Sequence, residues 1–338
     1  MKQRLRALLN PKVIVPTVLS AGFLAFIVAF GDAGKVSREI ATAAPIAVLP
    51  VFFLTVLYLL AKGVQWHVYL RRLEIKPASK EFLVPYAGGE FSNSLPLGVY
   101  LENYLLKGAL GEGFGKSAAA TTWMLITEIL ICLLALMVIG VPDWPWVRPL
   151  AIGIFLGMLA VGIVLFKTRL VHERLERWQP KRKGLRSARE GFKDFLEGSS
   201  QLLSWHTFVY GLPLTTIYLG AYATSLYVIG AALQASTWGW EKATAAYAFS
   251  LVVVLLVPVL PHLGTVEASG LGVMLQYGLL RNQAVGSFLT LRLLTTGTIF
   301  LVCGSVLLVL HRQVGQIFRR LSRGKKPRGQ PGAEPEPE

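Results

Sequence analysis

"AGGEFSNSLPLG", residues 87–98, sets a Gly-Gly pair, an acid, an amide and a proline between two strongly apolar stretches. Whether this is a loop in water or a break inside a membrane decides the fold. The rest of the chain answers. Of its 338 residues 53% are hydrophobic and only 16% charged, whereas soluble domains carry about a quarter charged residues. A shortage of charge makes sense if much of the outside faces lipid, and several windows reach the roughly 20 apolar residues needed to cross a bilayer core. The class is all-α, a polytopic membrane protein.

The net charge of +15 is concentrated at the N-terminus, between apolar segments and in the tail, where membrane proteins carry their cytoplasmic Lys and Arg. It reads as topology, and no nucleic-acid partner is expected. Cys132 and Cys303 fall inside separate apolar segments with no Cys/His neighbourhood, so neither a metal nor a cofactor is expected. Residues 1–30 begin like a signal peptide, but the apolar run 13–30 is longer than a signal core and further spans follow, which favours an uncleaved first helix.

Six segments read as full crossings, residues 13–30, 44–61, 117–139, 150–166, 207–233 and 286–310. The charges orient them. Lys2, Arg4, Arg6 and Lys12 place the N-terminus in the cytoplasm, the balanced loop 31–42 lies outside, and the basic loop around residues 70–80 lies inside. Trp144 and Trp146 mark an external interface, and the tail with Arg319, Arg320 and Arg323 returns to the cytoplasm. The basic segment 167–204 has apolar residues at helical spacing, which suits an amphipathic helix on an anionic membrane surface and equally a solvated loop. Residues 1–323 are expected to form one membrane domain in a bacterial inner membrane. The Pro/Gly/Glu-rich residues 324–338 read as a disordered tail.

This topology leaves over residues 81–116 and 243–284. Each must enter and leave from one side, and the two sides are opposite. Each has apolar flanks around a Gly/Pro-broken polar centre: Gly88 to Gly98 in the first, Pro258, Pro261, His262, Gly264 and Glu267 in the second. Backbone that leaves helical geometry in a bilayer must pack in protein or line a wet cavity. Paired broken segments are a pointer to a transport site at the midplane. The expected architecture is therefore six full spans plus two re-entrant broken helical hairpins, an arrangement that suits an inverted repeat. Two kinked full spans would change the topology, but the flanking charges favour re-entry.

Ionisable residues in hydrocarbon each need a reason. Glu128 lies mid-span, seven residues after Thr121 and so on the same helical face, and Arg292 lies in the last span. Opposite charges on two spans invite a Glu128–Arg292 bridge, as structural glue or as part of a proton or substrate path. Glu90 and Asn93, three apart, would point the same way from a helix, with Glu102 and Asn103 beyond. Glu90, Asn93 and Glu267 are expected to line a polar cavity. His262 is a single titratable group with no second ligand nearby. "GEGFGKS" at 111–117 imitates a phosphate loop, but Leu110 stands where the motif needs glycine. No Ser/His/Asp or Cys/His set suggests an enzyme.

These features carry a resemblance. "GGEFSNSLPLGVYLENYLLKG" with the span that follows it, and "LPHLGTVEASGLGVMLQYGLLRNQAVGSFLTLRLLTTGTIF", resemble the two signatures of the lysylphosphatidylglycerol synthase transmembrane family, a flippase-like domain, over about residues 45–312. Asn93, Pro96 and Gly98 match the first core and Glu128 the acid of its Glu-Arg pair. Leu263, Gly264, Glu267 and Arg292 match the second signature. The chain departs from the pattern at Glu102, where an arginine is usual, at Ile129, the partner position of Glu128, and at Pro261-His262, where Gly-Gly is usual. The soluble aminoacyl-transferase domain of two-domain members has no counterpart here, so lysyl transfer is not expected. The resemblance implies movement of a phospholipid or other amphipathic lipid between leaflets. Its substrate-binding set would be Glu90, Asn93, Pro96, Gly98, Glu102, Glu128, His262, Gly264, Glu267 and Arg292. The acids Glu90, Glu102, Glu128 and Glu267 favour a cationic or hydroxyl-rich head group. The alternatives are a membrane enzyme, or an accessory protein, acting on a lipid-linked substrate. Homo-oligomerisation is left open.

Overall fold

The structure, a computed structural model, describes residues 33–93, 100–111, 113–167, 183–233, 238–256 and 262–322. Every regular element among them is a helix: α1 (Ala33–Arg72), α2 (Ser79–Asn93), α3 (Leu101–Leu110), α4 (Phe114–Ile139), α5 (Val147–Lys167), α6 (Lys183–Leu202), α7 (Trp205–Ala232), α8 (Trp240–Leu256), α9 (His262–Gln276), α10 (Arg281–Val309) and α11 (His311–Ser322). The expected span 13–30 lies outside the described residues.

Among the described residues four helices are long and apolar enough to cross a membrane, Pro45–Arg72 of α1, Phe114–Ile139, Trp205–Ala232 and Arg281–Val309. They match four of the six spans read from hydropathy, and the fifth, 150–166, falls in α5, whose apolar stretch Val147–Gly162 is shorter. The largest difference is at α1. Residues 33–42, expected as a loop, are helical, and the helix passes both Pro45 and Pro50 and continues to Arg72. Ala41 and Ala43 favour that continuation, and prolines are tolerated in spanning helices where neighbours satisfy the freed carbonyls. The expected span ended at residue 61, so Lys62 and Gln65 move from its flank to its interior.

Helix faces show what each span meets. On α1, Ile46, Leu49, Phe53, Leu60 and Val64 are exposed, while Ala43, Ala47 and Val51 are buried. The steps of three and four residues divide the helix into an outer and an inner stripe. Exposed stripes this apolar suit lipid contact. Lipid tails are as apolar as the helices, so close packing by small residues holds spans together. Ala43 and Ala47 sit in one core with Ala223 and Leu226 of α7 and Leu133 of α4. A Cβ at Gly211 would fall 2.1 Å from the Tyr69 hydroxyl, so α7 meets α1 where only glycine fits.

Between the spans lie two pairs of short helices. α2 and α3 pack on each other, as do α8 and α9, and α10 touches both pairs. The expected polar breaks between the helices of each pair, residues 94–99 and 257–261, lie outside the described residues. α3 ends on Gly111, whose left-handed backbone (φ 78°) lets its N–H reach the Lys107 carbonyl at 2.8 Å. Of the segment 167–204, read either as a surface helix or as a solvated loop, residues 183–202 form helix α6, with Leu196, Ser199 and Leu202 buried, and residues 168–182 lie outside the described residues. It rests on α4, and Trp123 Nε1 donates to the Ser199 carbonyl at 3.2 Å.

Candidate functional site

α1 places Tyr58, Lys62, Gln65 and Tyr69 along its inner face, at intervals of three and four residues. Lys62 Nζ lies 3.1 Å from Glu90 Oε1 on α2 and 4.0 Å from Glu128 Oε1 on α4. It also donates to the Tyr58 hydroxyl at 2.8 Å, which in turn donates to Glu90 Oε2 at 3.3 Å. Tyr218 of α7 donates to Glu128 Oε1 at 2.9 Å. Glu90 is 1% exposed. A carboxylate so deep is tolerable only when paired and hydrogen-bonded, and Lys62 with the two tyrosines meets that need for both acids.

A second ion pair joins Arg292 Nε of α10 to Glu267 Oε1 of α9. The expected Glu128–Arg292 bridge is therefore not formed: Glu128 is answered by Tyr218 and Lys62, and Arg292 by Glu267. Each acid takes the nearest cation on the helix packed beside it. Lys62 was hidden from the hydropathy reading because the span was ended one residue before it.

The first ion pair and Arg292 of the second border one cavity of about 170 Å³. Its polar walls are Tyr58, Lys62, Glu90, Glu128, Arg292 and Thr296, and Tyr222 and Tyr247 add aromatic surface. Tyr58 meets Tyr222 edge-on at 4.9 Å, and Tyr222 stacks on Tyr247 at 5.2 Å. α2 of the first hairpin supplies Glu90, and α8 and α9 of the second supply Tyr247, Leu251 and Val266. The two helix pairs thus meet the long helices at one polar chamber. Below it, Gln65, Thr127 and Thr215 form a second polar layer: Gln65 Nε2 donates to Tyr69 at 2.9 Å and to Thr127 at 3.2 Å, and Thr215 donates to Gln65 Oε1 at 3.1 Å. The sequence signal for this missed set was there, a Lys and a Gln three residues apart within an apolar run.

The other expected residues lie as follows. Glu102, on α3, is buried beside Gly89 but is not in the cavity wall; its Oε1 accepts from Thr121 at 2.7 Å. Glu267 is 0% exposed and stands behind Arg292. Asn93 is the last residue of α2, and His262 and Gly264 lie in the first turn of α9. Pro96 and Gly98 lie outside the described residues.

The profile of the lysylphosphatidylglycerol synthase TM region family matches residues 13–303. The chain belongs to that family. A search of curated proteins finds no significant match. Membership in the lysylphosphatidylglycerol synthase TM region family, with the apolar helices described above, makes this a multi-pass membrane protein tied to lipid metabolism or translocation.

Proposed function

We propose that the protein moves an amphipathic lipid between the leaflets of an inner membrane, with both termini in the cytoplasm. The two hairpins enter from opposite faces as re-entrant elements, the head group occupies the polar chamber, and the acyl chains stay in the bilayer. One observation carries this reading: a chamber of about 170 Å³, walled by both broken hairpins, holds Lys62, Glu90, Glu128 and Arg292 among apolar helices. Charge inside a spanning bundle is expensive and is retained where it serves a path. Asn93, Pro96, Gly98, His262 and Gly264 would contribute from the hairpin breaks, and Glu102 and Glu267 from behind the wall.

The chamber also refines the head group. Two acids and two cations face it, so its walls are close to neutral, and Tyr58, Tyr222 and Thr296 add hydroxyls. A hydroxyl-rich head group exchanges hydrogen bonds with such walls without displacing an internal ion pair, which a purely cationic one must do. The test is transfer in proteoliposomes of tail-labelled glucosyl-diacylglycerol, phosphatidylglycerol and phosphatidylethanolamine, read by dithionite quenching. Lys62→Met and Glu90→Gln should each slow transfer of the preferred lipid at least about tenfold, as expected for loss of a charged hydrogen bond. Wild-type transfer rates in both variants would refute the site.

A further inference from the structure

The two acids of the first hairpin are held differently. Glu90 faces a lysine, whereas Glu102, 6% exposed, has no cation within ion-pair distance among the described residues. Its Oε1 accepts from Thr121 Oγ1 at 2.7 Å, and that hydroxyl accepts from Asn103 Nδ2 at 2.9 Å. The single hydroxyl hydrogen of Thr121 is thereby committed to Glu102. The second carboxyl oxygen turns toward α2, where a Cβ on Gly89 would stand 2.6 Å from it. Asn103 Oδ1 is buried with no hydrogen-bond partner. The cluster is short of hydrogens, and an ionised Glu102 would be a buried charge answered only by a neutral hydroxyl, which costs several kcal/mol in a protein interior.

The neighbouring charges do not remedy this. Across α2 stands Glu90, a like charge one residue from the Gly89 contact. Lys62 of α1 is committed to Glu90 and Glu128, the latter on α4. On α11, Arg320 donates to the Ala109 carbonyl at 2.8 Å, at the far end of α3.

We propose that Glu102 is a proton-binding site and that proton flow drives lipid movement, an inference that rests on the transport reading above. Neutral Glu102 lets α2 and α3 close on Gly89. When it loses its proton, the carboxylate faces Glu90 across that contact and pushes α2 and α3 apart. In each cycle one proton is taken from water on one side of the membrane and released to water on the other, and no other bond is made or broken.

Two measurements test this separately from transport itself. Infrared difference spectra of the purified protein in lipid nanodiscs, with no added substrate, should show at neutral pH a carboxylic-acid C=O band that Glu102→Gln removes and Glu90→Gln retains. Thr121→Val, which removes the hydroxyl donor, should shift that band. An unchanged band in Glu102→Gln, or no band in the wild type, overturns the proposal. In proteoliposomes containing a pH-sensitive dye and tail-labelled lipid, one coupled proton shifts the steady-state distribution of the labelled lipid between leaflets by up to about tenfold per unit of pH difference. That gradient-dependent asymmetry should vanish in Glu102→Gln. A wild type that moves lipid but ignores the gradient also overturns coupling. A wild type that moves no lipid removes the transport reading and coupling with it, while the infrared band still decides proton binding.

Discussion

The two helix pairs, α2–α3 and α8–α9, solve one problem with different margins. Each is a pair of helices packed side by side, with a buried acid tied to a cation on a neighbouring long helix: Glu90 to Lys62 in the first, Glu267 to Arg292 in the second. In the second, one acid meets one arginine. In the first, Lys62 serves Glu90 and Glu128 together, and Glu102 has no cation within ion-pair distance among the described residues. The second hairpin is thus charge-matched, whereas the first holds more acid than base. A matched hairpin suits a fixed wall of the chamber, and an unmatched one suits the part that moves.

The sharpest way to break this comparison is to remove each cation. Arg292→Met leaves Glu267 without its guanidinium in a site that is 0% exposed, and breaking a buried pair from one side costs about 3–5 kcal/mol. Lys62→Met leaves Glu128 with Tyr218 and Glu90 with Tyr58, both at the chamber wall. Its expected cost is smaller, about 1.5–3 kcal/mol, the range of a charged hydrogen bond. Thermal unfolding in detergent should rank the two in that order. Adding Glu267→Leu to the first and Glu90→Gln to the second should restore part of each loss. The reverse ranking would mean that the first hairpin is the fixed one.

Glycine contacts give a smaller effect and a second ranking. A Cβ at Gly270 of α9 would fall 2.1 Å from Phe288 Cζ and 2.4 Å from Ser250 Oγ. At Gly89 it would fall 2.6 Å from Glu102 Cβ and Oε2. Neither contact is relieved by a swinging side chain, since Phe288 is buried and Glu102 Cβ is fixed to the α3 backbone, but the contacts at Gly270 are the closer. Overpacking costs about 1–3 kcal/mol, so Gly270→Ala should sit at the upper end of that range and Gly89→Ala at the lower, by the same unfolding assay. Gly89→Ala should also weaken the response to a pH gradient, which Gly270→Ala should leave in place.

How much of this was legible depends on what hydropathy can see. Apolar length revealed the spans around residues 117–139, 207–233 and 286–310, since that signal is local, and the two segments left over from them hold the paired helices α2–α3 and α8–α9. Glu128, Arg292, Glu90 and Glu267 stood out as charges among apolar residues. Their pairing did not, because it depends on which helices touch: α9 lies against α10, and α1 against α4. Lys62 was lost because a hydropathy window closes at the first charge, while α1 continues to Arg72 and turns that lysine inward. Residues 33–42 were lost for the converse reason, as a polar helical extension has no apolar periodicity to mark it.

The smallest expected effects concern how each hairpin is tied down at its outer end. The first is held by Arg320 of α11, which donates to the Ala109 carbonyl at 2.8 Å, where α3 ends. The second is held by Tyr277, whose hydroxyl donates to the Gly140 carbonyl at 2.8 Å, just beyond α4. Each is a single side-chain bond to a terminal carbonyl; the neutral tyrosine bond is worth about 0.5–1.5 kcal/mol, and solvent screening on the exposed Arg320 brings its charged bond down toward the same size. Tyr277→Phe keeps the ring and removes only the hydroxyl, so its loss should fall near the low end. Arg320→Gln should cost about as much in stability, yet differ in kind. If the first hairpin moves, a weaker tether at Ala109 should speed amide hydrogen exchange across α2 and α3, whereas Tyr277→Phe should leave α8 and α9 as protected as before. Equal loosening of both hairpins would remove the distinction between a fixed and a moving one.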